Sequence, residues 1–433
     1  MGSQRPHCNF SSGEYLCNEN GMRHAMIIIP SFLASSTLLV VAVIVWKTCR
    51  RGRDAEREPI ILLEDDVPGQ DGKEYDSLPT ATSAERILEF KDSLLAKWEL
   101  PKDWNIQEEA FLGMGRYGQI SRATLIQTGS LGPSLSVILR KLPVATSPQE
   151  MKDFIEMMKF HIKICKHDSL VKVLWCQSQA LPLCLILEAM SLGNLLQFLW
   201  QARQGDLPIK GHLYELTEKS VFTMAIQIAR GLEYLTASQK LIHGDVAARN
   251  VLIHQDMTVR LCGLGLAGEV YRRGMLPSRK AAEVPIKWLP PERILKHPVT
   301  AKGDVWSFGI LLNEMITLGA PPYPTLLPSE VLSWLQRQHR MQKPQQCGSN
   351  LYRIMRSCWQ WKASKRPTFS QLINQLDSHM LHANGAEPLT ATERLVFSDY
   401  QRIAGVSPGE VPLELCLSDP CLKHNTDNNS TPL

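Results

Sequence analysis

The sequence predicts an α+β fold preceded by one N-terminal transmembrane α-helix. Three features of the 433-residue chain lead to this prediction. Residues 26–46 form an uncharged apolar run, residues 108–382 carry periodic hydrophobic patterning, and this patterning is lost after Gly385. We therefore divide the chain into an extracellular segment, a membrane helix, a connector that is first basic and then acidic, a folded domain and a disordered tail, at residues 1–25, 26–46, 47–107, 108–382 and 383–433.

Composition excludes several classes of function. Hydrophobic residues make up 44% of the chain, charged residues make up 21%, and the formal net charge is +4. This modest charge, without basic stripes that alternate with aromatic residues, argues against binding to nucleic acid. The 11 cysteines show no C-x-x-C spacing, so we expect neither a cysteine-based metal framework nor a disulfide scaffold.

The apolar run at residues 26–46 is long enough to cross a membrane. At about 1.5 Å rise per residue, a helix of this length spans a hydrocarbon core of roughly 30 Å. A buried core helix seldom runs so long without a charge, and a signal peptide would be shorter and start earlier. Lys47, Arg50, Arg51 and Arg53 follow directly, which places the C-terminal side in the cytosol. We expect a single-pass protein of the plasma membrane.

Several residues outside the folded domain are candidates for modification or membrane contact. Asn9 opens an N-glycosylation sequon, and Tyr75 lies in the acidic connector. Cys49 is a palmitoylation candidate, with an ordinary free cysteine as the alternative. The basic cluster around it predicts contact with anionic membrane lipids. Ser31 and Ser35 have the small-x-x-x-small spacing that favours a homodimer through the membrane helix.

A glycine-rich segment near the start of the folded domain predicts contact with phosphate groups. Gly113, Gly115 and Gly118 have the spacing G-x-G-x-x-G, and Leu112 and Ile120 flank them. The residues that follow alternate like a strand, which favours a hairpin lid over ATP rather than the strand-to-helix turn of a dinucleotide site. Because glycines carry no side chain, the backbone can approach the phosphates closely.

The segment at residues 243–250 is the most specific motif of the chain. It reads His-Gly-Asp-Val-Ala-Ala-Arg-Asn, and Pro-Ile-Lys-Trp and Pro-Pro-Glu follow at 285–288 and 290–292. An Arg-Pro-Thr-Phe motif lies at 366–369. Together these motifs resemble the receptor-like protein tyrosine kinase family, over roughly residues 108–382. The resemblance implies a two-lobed protein-kinase fold, ATP as co-substrate and growth signalling from the membrane.

The resemblance implies a role for each polar residue of the segment at 243–250. Asp245 would accept the substrate hydroxyl proton, Arg249 is the tyrosine-kinase variant, and Asn250 would hold magnesium. Gly263 stands where such kinases have the aspartate of Asp-Phe-Gly, so one magnesium ligand is lost. Gly244 replaces an arginine that normally reads a phosphorylated activation loop. We therefore expect a degraded magnesium site and weak catalysis.

The resemblance also indicates the strand that holds the phosphate-binding cation. Residues 137–142 match this strand, and either Arg140 or Lys141 takes the position of the usual lysine. Strand alternation allows only one of the two to face the cleft. The small residue that normally makes room for adenine would be Ile138 or Leu139, and both are bulky.

Three further residues are expected at the nucleotide by resemblance. Glu156, on the helix after this strand, would pair with the cation, and Glu150 is the alternative. Glu188 and Met190 would present their backbone groups to the edge of the adenine. Each stands in a segment that resembles the corresponding kinase element.

Other residues are expected to fold or regulate the domain. In kinases, residues at the positions of Glu292 and Arg366 form a buried ion pair. A residue at the position of Asp304 braces the catalytic loop, which corresponds to residues 243–250 of this chain. Tyr271 in the activation loop and Tyr400 in the tail are phosphorylation candidates. For Tyr400 the alternative is an unmodified tail tyrosine.

Two hypotheses follow from these residues. The first is a membrane-tethered protein tyrosine kinase with weak or unconventional use of magnesium, acting on protein substrates. The second is a pseudokinase scaffold that recruits signalling kinases and adaptors at the membrane. Asp245, Arg249 and the glycine-rich segment favour the first, and Gly263 and Gly244 favour the second.

Overall fold

The structure is a computed structural model, and it describes most of the chain from residue 92 to residue 405. The predicted sites at Asn9, Cys49, Tyr75 and Tyr271 lie outside the described residues, as does the apolar run at 26–46. No helix within the described part of the chain is long and apolar enough to cross a membrane. The described ranges are 92–115, 118–129, 134–144, 146–207, 214–264, 267, 284–391, 393 and 395–405.

The first lobe is a five-stranded antiparallel sheet with one long helix. The spatial order of the strands is β1-β2-β3-β5-β4, and neighbours in this order are hydrogen-bonded. The elements are α1 (Ser93–Ala96), β1 (Trp104–Gly115), β2 (Gly118–Gln127), β3 (Leu135–Lys141), α2 (Pro148–Ile164), β4 (Val173–Gln177) and β5 (Cys184–Glu188).

Alternation along β3 decides which side chains reach the cleft between the lobes. Val137 and Leu139 are fully buried in a small core that they share with Leu125 and Ile186. Because successive residues of a strand point to opposite faces, Ile138 and the residue after Leu139 lie on the other face. One face of the sheet therefore folds the lobe, and the other lines a candidate site.

The second lobe is mostly helical and begins at α3 (Leu195–Gln204). The following elements are α4 (Glu218–Glu233), β6 (Val251–Ile253), β7 (Val259–Leu261), α5 (Pro291–Ile294), α6 (Ala301–Ile316), α7 (Val331–Gln336), α8 (Ser349–Cys358), α9 (Phe369–Met380) and α10 (Phe397–Ala404). Nearly all residues of α6 are buried, which makes this helix the centre of the lobe. Strands β6 and β7 pair antiparallel beside the residues of the candidate catalytic loop.

The predicted ion pair between Glu292 and Arg366 is confirmed. The guanidinium of Arg366 is fully buried and donates to both oxygens of Glu292, at 2.6 and 2.7 Å. It also donates to the backbone oxygens of Lys302 and Gln360. A buried charge is tolerated only when it is paired and hydrogen-bonded, and this guanidinium satisfies both conditions.

The prediction of a disordered tail from residue 383 is wrong for the part of the tail that the structure describes. Leu389 donates its N–H to the backbone oxygen of Leu216 at 2.6 Å, and α10 packs Tyr400 and Ala404 into the lobe. Tyr400 is only 1% exposed, so it is not an accessible docking tyrosine in this conformation. Sequence patterning missed this segment because its buried residues are few and widely spaced.

Candidate active site

A cleft between the two lobes brings most of the predicted nucleotide residues together. Its volume is about 210 Å³, below the ~300–1,000 Å³ that is typical of small-molecule pockets. Ile138 lies in its wall, where a small residue would leave more room for adenine. The predicted residues that line the cleft are Leu112, Gly113, Ile120, Arg140, Glu188, Met190, Arg249, Asn250 and Gly263.

The structure chooses between the two candidate cations. Arg140 pairs with Ile120 on one side and Leu185 on the other, and it lines the cleft. Lys141 points to the opposite face, where it forms an ion pair with Glu109. The cation in the cleft is therefore a guanidinium, with planar N–H donors in place of a compact ammonium.

Two predicted glycines also lie away from the cleft. Gly115 and Gly118 end and begin the two strands of the hairpin. Gly118 has a φ of +124°, and a Cβ there would overlap the backbone oxygen of Lys141. Its absent side chain thus serves the packing of β2 against the end of β3.

The prediction that Glu156 pairs with the cleft cation is wrong. Glu156 lies on the surface and forms an ion pair with Lys159, at 3.0 Å. The alternative, Glu150, caps the start of α2 by accepting from Ser147. Both carboxylates follow local helix chemistry, because an N-terminal turn and an i, i+3 cation each provide a nearby partner.

The interior face of α2 presents His161 near Arg140. The Nδ1 of His161 lies 2.8 Å from the backbone oxygen of Met157. Burial, and then the positive charge of Arg140, lower the pKa of His161 to about 4. The helix therefore brings a neutral imidazole towards Arg140 in place of the carboxylate that we predicted.

Glu188 does more than the backbone role predicted for it. Its carboxylate forms an ion pair with Arg260 of β7 and accepts the N–H of Lys172 at 2.6 Å. Arg260 belongs to the second lobe. Glu188 is the last residue of β5, which belongs to the first lobe. This pair therefore links the lobes beside the cleft.

The three predicted catalytic residues meet at one point of the loop. Arg249 donates to one carboxylate oxygen of Asp245, and Asn250 Nδ2 donates to the other at 2.7 Å. The guanidinium of Arg249 is buried and stacks over the ring of Trp288, with 4.7 Å to the ring centroid. Asp245 itself stays partly exposed. Its carboxylate is therefore oriented by buried neighbours and remains open to a substrate hydroxyl.

The predicted bracing of the loop by Asp304 is confirmed. Its two carboxylate oxygens accept the N–H groups of His243 and Gly244, both at 2.8 Å. Burial raises the pKa of Asp304 to about 6, and these two hydrogen bonds oppose that rise. Gly244 has a φ of +79°, a left-handed conformation that a glycine adopts without strain.

Glu314 is a site residue that the sequence prediction missed. It is fully buried on α6 and accepts the N–H of Ala248 at 3.0 Å. Burial raises its pKa to about 7, and the hydrogen bond from Ala248 and the charge of Arg249 oppose this rise. The available signal was a single carboxylate within the largely apolar second half of α6.

The residues around Gly263 do not fit a kinase magnesium site. Gly263 has a φ of +77°, and a Cβ at this position would lie 2.5 Å from Oδ1 of Asn250. The amide nitrogen of Asn250 donates to Asp245, so this residue has only its Oδ1 to offer an ion, and Gly263 offers no side-chain oxygen. Within the described ranges, no group of three or more His, Cys, Asp or Glu side chains is arranged to hold a metal ion.

Comparison with known proteins covers both lobes. The sequence matches the family of protein tyrosine and serine/threonine kinases over residues 106–376. It is similar to tyrosine-protein kinase STYK1 (also called NOK) of Mus musculus, at 36% identity over 92% of this chain and 94% of that protein. The Homo sapiens protein of the same name is 37% identical over 94% and 97%. Fibroblast growth factor receptor 1 of Pleurodeles waltl is 32% identical over 80% of this chain and 45% of its own length.

We predict that Gly263→Asp does not create a magnesium site. The left-handed backbone and the overlap with Asn250 should lower stability by about 1–3 kcal/mol. The thermal shift given by ATP should be the same with and without magnesium. Gly263→Ala is the matched control, because it carries the same Cβ without a carboxylate. A Gly263→Asp variant of unchanged Tm, with an ATP shift that needs magnesium, would contradict this prediction.

We predict that Glu314 makes stability fall as pH rises. The pKa of Glu314 is raised from 4.5 to about 7 in the folded state, so the folded state holds a proton that the unfolded state has lost. This contribution is complete below about pH 4.5 and is lost as pH approaches 7. The free energy of unfolding of Glu314→Gln, relative to that of wild type, should rise by on the order of 1–3 kcal/mol from pH 5 to pH 8. Denaturant unfolding at several pH values measures this, and parallel pH profiles would refute it.

Proposed function

Because the chain belongs to the protein tyrosine and serine/threonine kinase family, we propose that it is a membrane-tethered tyrosine-kinase-like protein that transfers the ATP γ-phosphate to protein tyrosine only weakly. The observation that carries the proposal is the carboxylate of Asp245, which Arg249 and Asn250 orient beside the cleft. The uncharged run at residues 26–46 and the basic residues after it support the membrane tether.

Each retained group has a definite role in such a transfer. Asp245 hydrogen-bonds the tyrosine hydroxyl, orients its oxygen and takes its proton as that oxygen bonds to the γ-phosphorus of ATP. The bond from the γ-phosphorus to the β–γ bridging oxygen breaks at the same time, and ADP leaves. Arg249 keeps the carboxylate in place from its buried position above Trp288. Arg140 faces the part of the cleft expected to hold the phosphates and offers planar N–H donors to them.

Three departures account for weak activity. Gly263 supplies no carboxylate, Ile138 narrows the cleft, and Arg140 replaces the compact ammonium of a lysine. Loss of one preorganised electrostatic group commonly costs about a hundredfold or more in rate. We assign no step to magnesium, because the groups around Gly263 and Asn250 do not fit it.

A scaffold function is the second candidate, and one observation favours it. A carboxylate cannot simply be returned to position 263, because Asn250 fills the space beside the glycine. The residues that fold the lobes, among them Arg366 and Asp304, keep their partners. In this reading the domain recruits signalling kinases or adaptors at the membrane. Lipid contact by the basic flank and a homodimer through residues 26–46 belong to either reading.

We predict that Arg140, and not Lys141, contributes to ATP binding. Arg140→Ala should weaken ATP binding about tenfold or more, the size expected for a lost charge-assisted contact. Lys141→Ala is the matched control, because it removes a cation of the adjacent residue that faces away from the cleft. Thermal shift and calorimetric titration with ATP measure the difference. Equal losses in both variants would show that the effect is one of general charge.

We predict that any phosphoryl transfer depends on Asp245. Asp245→Asn keeps the size of the side chain but removes the proton acceptor, so the rate should fall by about a hundredfold or more. Purified full-length protein and a tyrosine peptide, with radiolabelled ATP, provide the measurement. Transfer that persists unchanged in the variant would indicate a contaminating kinase. A wild-type protein that binds ATP without any transfer would favour the scaffold function.

A further inference from the structure

The C-terminal segment is attached to the second lobe by contacts along its length. Thr390 donates its N–H to the side-chain oxygen of Gln346 at 2.7 Å. Arg203 of α3 donates to the backbone oxygen of Glu393 at 2.9 Å. The segment then forms α10, which lies beyond the range matched by the kinase family. The segment is thus an addition to the matched domain, held by contacts with α3 and with the loop before α8.

The buried face of α10 is built around Tyr400. Its ring meets the ring of Trp200 edge to face, with 4.8 Å between centroids. Trp200 in turn donates its indole N–H to the backbone oxygen of Gly319 at 2.9 Å. A Cβ at Gly319 would lie 2.5 Å from the Trp200 ring, so the glycine makes room for this stack. The tyrosine therefore fills a place formed by α3 and the end of α6.

The hydroxyl of Tyr400 reaches a polar region under the catalytic loop. Burial and the carboxylate of Glu314 raise the pKa of Tyr400, and the guanidinium of Arg249 opposes this rise. The hydroxyl of Tyr400, Oε1 of Glu314 and Nη1 of Arg249 are all buried, and the structure shows a hydrogen bond for none of them. Nε1 of Trp288 is also buried without a hydrogen bond, and it lies close enough to Glu314 to lower the pKa of that carboxyl. Buried polar atoms are seldom left without a partner. A phenol suits this place, because it donates to a carboxylate and accepts from a guanidinium.

We propose that Tyr400 is a positioning residue of the catalytic loop, and that its hydroxyl supplies the hydrogen bond that Oε1 of Glu314 and Nη1 of Arg249 lack in the structure. Glu314 holds the N–H of Ala248, and Arg249 holds the carboxylate of Asp245. The docked tail thereby sets the geometry of the catalytic aspartate from behind. Only the expected effect on phosphoryl transfer rests on the proposed function; the effect on the loop does not.

Hydrogen exchange of the full-length protein tests the effect on the loop. Tyr400→Phe keeps the ring against Trp200 and removes only the hydroxyl. Loss of one buried hydrogen-bond partner should speed exchange of the amides at residues 244–249 about three- to tenfold. Arg402→Ala is the matched control, since this arginine is exposed on the same helix. A second variant that ends at residue 391 should show the same faster exchange in the loop.

The outcomes separate a positioning role from simple packing. If exchange at 244–249 is unchanged in Tyr400→Phe, the proposal is overturned, whatever happens in α10. Where wild-type protein phosphorylates a peptide, Tyr400→Phe should lower kcat and leave the KM for ATP unchanged. A wild-type protein without transfer would refute the proposed function alone, because the exchange result still decides the role of Tyr400. A raised KM with unchanged kcat would contradict positioning.

Discussion

Two buried carboxylates of α6 hold the catalytic loop, and the rest of the site depends on them. Asp304 accepts the N–H groups of His243 and Gly244, and Glu314 accepts that of Ala248. Both carboxylates are held in the lobe core, where burial disfavours their charged form. Their hydrogen bonds to the loop offset part of that cost. The loop is thus fixed through its backbone, from a helix that itself is almost wholly buried.

Because the loop is held through its backbone, the fold of the domain does not depend on which side chains the loop carries. Backbone N–H groups are present whatever the side chain, so the loop tolerates a glycine at position 244. Gly244 even adopts a left-handed φ of +79°, a conformation that would strain an arginine. The ion pair of Glu292 with Arg366 is equally independent of the cleft. The residues that fold the lobe therefore differ from those that line the cleft, and a change of a cleft side chain leaves the fold in place.

The sequence was most informative where a contact is local or belongs to a long motif. One motif singled out Asp245, Arg249 and Asn250, and the structure brings these three side chains into contact. The choice between Arg140 and Lys141 needed the strand register, which periodicity alone leaves ambiguous by one residue. Glu156 was assigned wrongly because a helix offers a glutamate several partners, and spacing does not show which face meets the strand.

The C-terminal tail shows most clearly what sequence patterns cannot predict. Tyr400 is 1% exposed because residues far apart in sequence, such as Trp200 and Gly319, form its place together. The hydrophobic pattern of the tail alone therefore cannot predict that Tyr400 is buried against them. The same reasoning applies at Gly263, where the missing aspartate looked like the loss of a single group. Asn250 lies in the space that its Cβ would need and donates to Asp245. The glycine and the asparagine are therefore one packing unit, held in place by the hydrogen bond from Asn250 to Asp245.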